Sequence, residues 1–396
     1  MTDCCIIGGG IVGLSIAREL AGRGHSVRVL ARERRHDTAS WAAAGIFPPA
    51  PESDTNLPGD ALTAWSDRLH REWARELLDE TGIDTGLRVC GGLHVCGNDQ
   101  QRLDQLAAAA ESWRRRGARC ESLDGAGVAD LEPALAAAVA RGGVVAGFVL
   151  PDETQIRPPR HLEALERSCE RRGVVITHDA TVHEILVHGG RVAGVVADIR
   201  RSRETVRAET FVLAAGAWSG SLANAVGLRL ETRPIRGQIA LVKLARPALV
   251  RVVNRGLDYL VPRDDGTLLV GSTIEDVGFD CSTEEDAIER LMRVARDLLG
   301  EAGIGHPERS WAGLRPGSVD GLPSIGRTPA CDNAFVAAGH FRAGLHQSTG
   351  TALLIADLIE AREPAMSVAA FAPDRPAAPP GKDSVAACLA RAAAEA

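Results

Sequence analysis

A chain of 396 residues, 45% hydrophobic and 24% charged, is long enough for two joined globular domains and too ordinary in composition for wholesale disorder. Its formal charge of −7 speaks against a polyanionic partner, because phosphate binding relies on clustered Lys and Arg, and no apolar run approaches the ~20 residues that span a bilayer. Nine cysteines without a CxxC pair, behind a start that lacks a leader pattern, predict a soluble, reduced, cytoplasmic protein.

Residues 3–7 read as a buried strand, Gly8-Gly9-Gly10 as a turn, Ile11 to Arg23 as a helix and Ser26 to Leu30 as a second strand. Trp41 to Pro49 forms a small-residue loop that ends in the stiff Pro48-Pro49 pair. Amphipathic helices fit 61–80, 99–116 and 158–172. Cys90, His94 and Cys96 share one face if their stretch is a period-two strand. No second ligand pair lies at a suggestive spacing, so no metal is predicted. Strands follow at 174–176, 181–188 and 191–199, with His188-Gly189-Gly190 as a hairpin turn. Thr210 to Gly216, 257–262, 267–272 and Ala334 to Ala338 also read as strands, with helices at 283–300 and 349–360. Beyond Pro373 the chain reads as a Pro-rich linker to a loosely docked Ala-rich helix.

Parallel-sheet signals therefore return at the beginning, middle and end of the chain. The fold class is α/β: a discontinuous Rossmann-like domain (1–50, 150–225 and 310–372) with an interleaved antiparallel-sheet α+β substrate domain (51–149 and 226–309) and a tail at 373–396.

Gly8-x-Gly10-x-x-Gly13 lies between a strand and a helix, the context that makes this pattern a dinucleotide fingerprint. Gly8 allows the tight turn, Gly10 lets a pyrophosphate approach the backbone, and Gly13 lets helix and strand pack closely. The helix N-terminus supplies free N–H groups and partial positive charge. An acidic residue for the ribose should end the second strand, yet that position is Ala31; Glu33 lies two residues later and is the alternative.

The segments Thr210-Phe-Val-Leu-Ala-Ala-Gly216, Asp258-Tyr-Leu-Val-Pro-Arg263, Trp311-Ala-Gly-Leu-Arg-Pro-Gly-Ser318 and Ala338-Gly-His-Phe-Arg-Ala-Gly344 resemble, in that order, the glycine-oxidase-like branch of the D-amino-acid oxidase superfamily. The resemblance covers about residues 3–372 and implies non-covalently bound FAD. It implies that Arg315, mounted in a Gly-Leu-Arg-Pro-Gly turn, pairs with a substrate carboxylate, that Tyr259, the sole tyrosine, donates to the same carboxylate, and that Arg342 stands at the edge. By the same resemblance Ile11, Val12, Arg32 and Ser40 line the pyrophosphate and ribose, and Val182 offers its backbone to the adenine. Ala44, Gly45 and Ile46 pass the flavin ring; Gly216, Gly339, His340, Phe341, Ala343, Gly344, Leu345 and His346 border it. His346 either donates to the flavin N1–C2=O edge or faces solvent. A rigid wall at 44–49 predicts glycine, sarcosine and D-alanine as the best substrates.

The activity so implied is oxidative deamination by hydride transfer from the α-carbon to the flavin. It gives an imino acid that hydrolyses to keto acid and ammonia, with oxygen or another acceptor taking the electrons. In proteins of this kind the imine feeds the thiazole of thiamine. A D-amino-acid, sarcosine or D-proline dehydrogenase, an FAD-dependent tRNA-modifying oxidoreductase and a flavin-binding scaffold without turnover remain as alternatives. The oligomeric state is open, a homo-oligomer included.

Overall fold

The computed structural model describes residues 2–32, 38–50, 57–244, 249–301, 304–376, 379–381 and 384–395. Strand β1 (Cys4–Ile7) is buried along its whole length because it runs in the middle of a sheet covered on both faces, the environment that selects continuous apolar strands. It pairs in parallel with β2 (Val27–Leu30) and with the strand Thr210–Leu213. Helix α1 (Ile11–Gly22) returns the chain between β1 and β2. The full sheet has six strands, extended by Val175–Thr177 beyond β2 and by Ala334–Ala338 and the antiparallel edge strand Ser324–Arg327 beyond Thr210–Leu213. On one face α1 and the helices Pro58–Thr81, Pro158–Arg171 and Ser348–Ile359 share a core around Ile6, Leu14, Leu62, Leu77, Leu165 and Ile355. The other face is covered by the antiparallel sheet Ala180–His188, Arg191–Ile199 and Ser202–Val206.

A second sheet of eight strands is antiparallel except where Val252–Arg255 meets Gly92–Cys96. Its longest member, Arg233–Lys243, lies in a segment for which the sequence predicts no strand. Period-two alternation along this strand gives the sheet two different faces. Ala240 and Val242 enter a core closed by Ile288, Leu291, Met292 and Leu298 of the helix Glu285–Leu299. Ile239 faces the opposite way, with Tyr259, Val261 and Leu269. That second face looks toward the six-stranded sheet, and the candidate site lies on it.

Four expectations need correction. Helix Pro58–Thr81 falls within the residues assigned to the substrate domain, yet its apolar stripe of Leu62, Trp73 and Leu77 is buried in the core of the six-stranded sheet. Strand Arg309–Gly317, assigned to the cofactor domain, instead hydrogen-bonds along Arg233–Lys243 at the edge of the eight-stranded sheet. The tail is not loosely docked: helix Val385–Glu395 buries Val385 and Cys388 against Ile235 and Phe341. The Cys90–His94–Cys96 face does not form either, because Gly91 takes φ +75° and removes Cys90 from the strand that carries His94.

Candidate active site

At the end of β1 the chain turns through Gly8 at φ +123°, where a Cβ would lie 2.2 Å from the Ala214 oxygen. A Cβ on Gly13 would lie 1.9 Å from the Gly8 oxygen, so helix and strand approach as the motif requires. Gly10 starts α1 without a side-chain cap. The Ile11 N–H donates to Ser40 Oγ at 2.9 Å, leaving the other N–H groups of the first turn for an anion. Ala31 follows β2, donates from its N–H to Thr177 O and accepts from the Ala180 N–H, each at 2.9 Å. Among the described residues no carboxylate occupies the ribose position there, and Glu33 lies outside them. The Arg32 guanidinium stacks 3.7 Å over the Trp218 ring.

The segment expected as a loop over the flavin is in part a strand. Ile46–Phe47 pairs with Thr154–Gln155, and Gly45 takes φ +71° with a Cβ position only 2.2 Å from the Ile156 oxygen. Two side chains outside the sequence-based site hold this wall. Buried Arg263 donates to Ala44 O at 2.6 Å, Gln155 Oε1 at 2.8 Å and Ile156 O at 3.0 Å, and burial lowers its pKa to about 10. Trp311 Nε1 donates to Ala42 O at 3.1 Å.

Opposite this wall runs Gly339 to Gln347, between the strand Ala334–Ala338 and the helix Ser348–Ile359. Gly339 and Phe341 both take positive φ, +77° and +47°, and the Phe341 N–H donates to Pro316 O at 2.9 Å. His340 is buried against Thr351 Oγ1 at 3.0 Å, and burial lowers its pKa to about 4. His346 does not face solvent. Its ring stacks on Phe47 at 4.2 Å, and its Nε2 meets Asp67 Oδ1 at 3.1 Å.

Arg315 is carried by a strand and not by a turn. Residues 309–317 pair in register with Arg233–Lys243, Ile235 opposite Arg315, and Pro316 is tolerated because the strand is at the sheet edge. The guanidinium lies across Gly237, where a Cβ would come within 2.2 Å of it. Nη2 donates to Ser272 Oγ at 2.9 Å and Nη1 to Thr273 O at 3.1 Å. Its Nε–H and second Nη2 hydrogen have no acceptor among the described residues. Burial pushes the Arg315 pKa down, the phenol of Tyr259 opposing. Tyr259 stands opposite Gly271 on the neighbouring strand, and a Gly271 Cβ would lie 2.7 Å from its hydroxyl. Two glycines thus clear the space in which a cation and a phenol converge over Ser272.

One cavity of about 1260 Å³ joins these parts. Its wall includes Gly8, Gly10, Ile11, Val12, Arg32, Ser40, Ala44, Gly45, Ile46, Val182 and Gly216, then Gly339 to His346 with Arg342, and Tyr259 and Arg315. Gly13 packs beneath the turn and does not reach the cavity. Val182 lies at a register shift in its strand, where a bulge frees backbone groups. Sequence reasoning missed Gly237, Ser272, Arg263 and Trp311, whose roles depend on cross-strand neighbours. It also missed Asn254 and Glu153, which line the same cavity, and weighed His94 only as a metal ligand, whereas it too lines the cavity; His94 stacks on Phe148 at 4.4 Å and lies 3.7 Å from Glu153. Among the described residues no helix is long and apolar enough to cross a membrane.

Comparison with known proteins identifies the family. The model of the family DAO, FAD dependent oxidoreductase, matches residues 3–358. A glycine oxidase of Pseudomonas aeruginosa is 35% identical over 93% of this chain and 97% of its own. A bifunctional protein ThiO/ThiG of Nostoc sp. is 33% identical over 90% of this chain and 52% of its own. The crystal structure of glycine oxidase from Geobacillus kaustophilus superposes with a TM-score of 0.85 at 32% identity, over 95% of this chain and 99% of that one. The glycine turn, the cavity and the match along 3–358 together place the chain in the DAO family of FAD-dependent oxidoreductases.

Proposed function

We propose that this protein oxidises glycine or another small amino acid, using oxygen, to an imino acid that hydrolyses to keto acid and ammonia, with hydrogen peroxide as the second product. The observation that carries the reading is the convergence of Arg315 and Tyr259 over Gly237 and Gly271, in the same cavity as the Gly8–Gly10 turn. The free Arg315 donors suit a carboxylate, which a planar guanidinium takes bidentately. Tyr259 adds a hydroxyl donor, and the wall at Ala44 to Ile46, fixed by Arg263, limits the room for a side chain.

When bound, FAD would supply the two-electron acceptor, with oxygen as the final oxidant. The residues present fit it: a glycine cradle that side chains would fill, an N-terminal helix turn with free donors, and Arg32 beside Trp218 further along the cavity. The chain's own part is orientation. Holding the carboxylate at Arg315 and Tyr259 fixes the α-carbon, and the low-dielectric wall excludes water during the reaction. His340, buried and paired to Thr351, acts as a packing residue. His346 braces the wall through Phe47 and Asp67. The match to 52% of the bifunctional ThiO/ThiG protein supports the expectation that the imine feeds thiamine thiazole formation.

Anaerobic bleaching of the bound flavin tests the reading with glycine, sarcosine, D-alanine, D-valine, D-phenylalanine and a modified tRNA. Rapid bleaching by the first three, graded loss with the larger side chains and no response to the tRNA are expected. Bleaching by tRNA alone would replace this proposal with the tRNA-modifying alternative, and no bleaching at all would favour the scaffold.

A further inference from the structure

The family match ends at residue 358, yet the last helix of the chain forms part of the cavity wall. The Val385 N–H donates to Ser318 O at 3.3 Å, and Val385 Cγ2 fills the place where a Cβ on Gly317 would sit, 2.3 Å away. Cys388, one turn on, is fully buried and packs with Ile235 and Phe341. Ile235 is the cross-strand partner of Arg315, and Phe341 precedes Arg342. Arg391 follows after another turn. It lines the cavity, with Nη2 donating to Cys388 Sγ at 3.1 Å.

Three guanidinium groups therefore gather at the substrate end: Arg315, Arg342 and Arg391. Both Arg342 and the Cys388 thiol act electrostatically on Arg315, in keeping with that placement. Arg342 and Arg391 have no carboxylate partner among the described residues. Glu275, the carboxylate that acts electrostatically on Arg315, is taken by Arg236 and by Gln238 at 2.9 Å. One α-carboxylate is satisfied by a single bidentate arginine with Tyr259. Arg342 repels Arg315, and a second anion would stabilise Arg342 together with the unpaired Arg391.

We propose that the C-terminal helix is a specificity wall, and that between substrates of equal size the one with a second carboxylate is preferred, that carboxylate being taken by Arg391 and Arg342 while Arg315 and Tyr259 hold the first. This inference rests on the amino-acid-oxidase reading above. The second carboxylate enters from the α-carbon side, as in D-aspartate, or from nitrogen, as in N-carboxymethylglycine. Arg342 and Arg391 are exposed at the mouth, so the gain is moderate, about tenfold.

The test uses the FAD-loaded full chain and compares each acid with its uncharged near-isostere: D-aspartate against D-asparagine, and N-carboxymethylglycine against its carbamoylmethyl analogue. Anaerobic flavin reduction gives the ratio of apparent second-order rate constants, and calorimetry gives the ratio of affinities for malonate and acetate. At least one acid-to-amide ratio of about ten is expected, together with a malonate preference, both falling toward one in Arg391→Gln and partly restored in Arg391→Lys. Whichever acid shows the ratio identifies the side on which the second anion binds. Acid-to-amide ratios at or below one for both pairs in the wild type, or ratios that Arg391→Gln leaves in place, overturn the inference. Glycine separates the two claims: a flavin that neither glycine nor any acid reduces refutes the oxidase reading itself, whereas reduction by glycine without a charge preference refutes only this one.

Discussion

The two ends of the cavity are built by different means. At the cofactor end the wall is largely backbone: a turn through Gly8 and Gly10, the first N–H groups of α1, and a short strand at Ile46–Phe47. At the substrate end it consists of side chains from neighbouring strands of the eight-stranded sheet, brought onto one face by period-two alternation. The first arrangement needs a few consecutive residues, and the second needs residues far apart in the chain to be in register. Substitutions at the first end should remove the cofactor. At the second they should leave the cofactor and change the substrate constants.

The largest effect expected is at Gly13. Its Cβ would fall 1.9 Å from a backbone oxygen, which cannot swing aside as a side chain can. Gly13→Ala should force α1 away from β1 and abolish recovery of yellow, folded protein, read by circular dichroism and by the flavin-to-protein absorbance ratio. A normal yield with full flavin content would show that the strand–helix contact is not what the glycine serves.

Next is Arg315→Ala. It removes a charge-assisted anchor in a buried site, an interaction worth about 2–5 kcal/mol, so kcat/KM should fall roughly a hundredfold or more. Flavin content should stay at the wild-type level, and that pairing is the sharpest form of the contrast between the two ends. Kinetics within threefold of wild type would remove Arg315 from the substrate site.

This contrast also explains what was legible in the sequence. The glycine turn, α1 and β2 are contiguous, so their spacing alone indicated a dinucleotide site. Tyr259, Arg315 and Arg342 were singled out through resemblance and not through any local pattern. Their supporting glycines, Gly237 and Gly271, carry no signal of their own; each matters because of a side chain on another strand. Arg315 was expected in a turn because Gly and Pro flank it, and edge position in the sheet overrides that local preference. The tail was underestimated for the same reason: composition describes Ala-rich residues 385–395 but not the groove between Ile235 and Phe341 that receives Cys388.

A third substitution separates a packing glycine of the substrate end from the anchor itself. Gly237→Ala puts a methyl group within 2.2 Å of the Arg315 guanidinium, the mobile end of a side chain, so the protein should fold and keep FAD. Displacing the guanidinium from Ser272 costs about 1–3 kcal/mol by overpacking, and KM for the amino acid should rise roughly tenfold with a smaller change in kcat. If flavin is lost instead, the two ends are coupled through the edge strand and the division drawn above fails.

The smallest effect concerns acid, and it tests the cofactor end. His70 donates from Nε2–H to Leu345 O and His346 O, each at 3.0 Å, directly beneath the segment that borders the cavity. Neither ring nitrogen of neighbouring His161 has a partner among the described residues. Burial holds His161 well below its ordinary value of 6.5 and lowers His70 to about 3, while His340 lies at about 4. In the unfolded chain these rings take up protons near pH 6.5; in the folded protein they stay neutral. Between pH 6.5 and about 4 the unfolded state therefore binds more protons, so their stabilising contribution is complete above 6.5 and is lost as pH falls. Tm and FAD retention should both decline from pH 7 to pH 5, the flavin leaving first because the layer lies under its wall. His161→Leu keeps an apolar contact, sacrifices no hydrogen bond and removes one titrating group, so the decline should become shallower by a few degrees while remaining in the wild type. Melting curves at pH 7.5, 6.0 and 5.0 decide the matter, and equal slopes for the two proteins would mean that the acid sensitivity arises elsewhere.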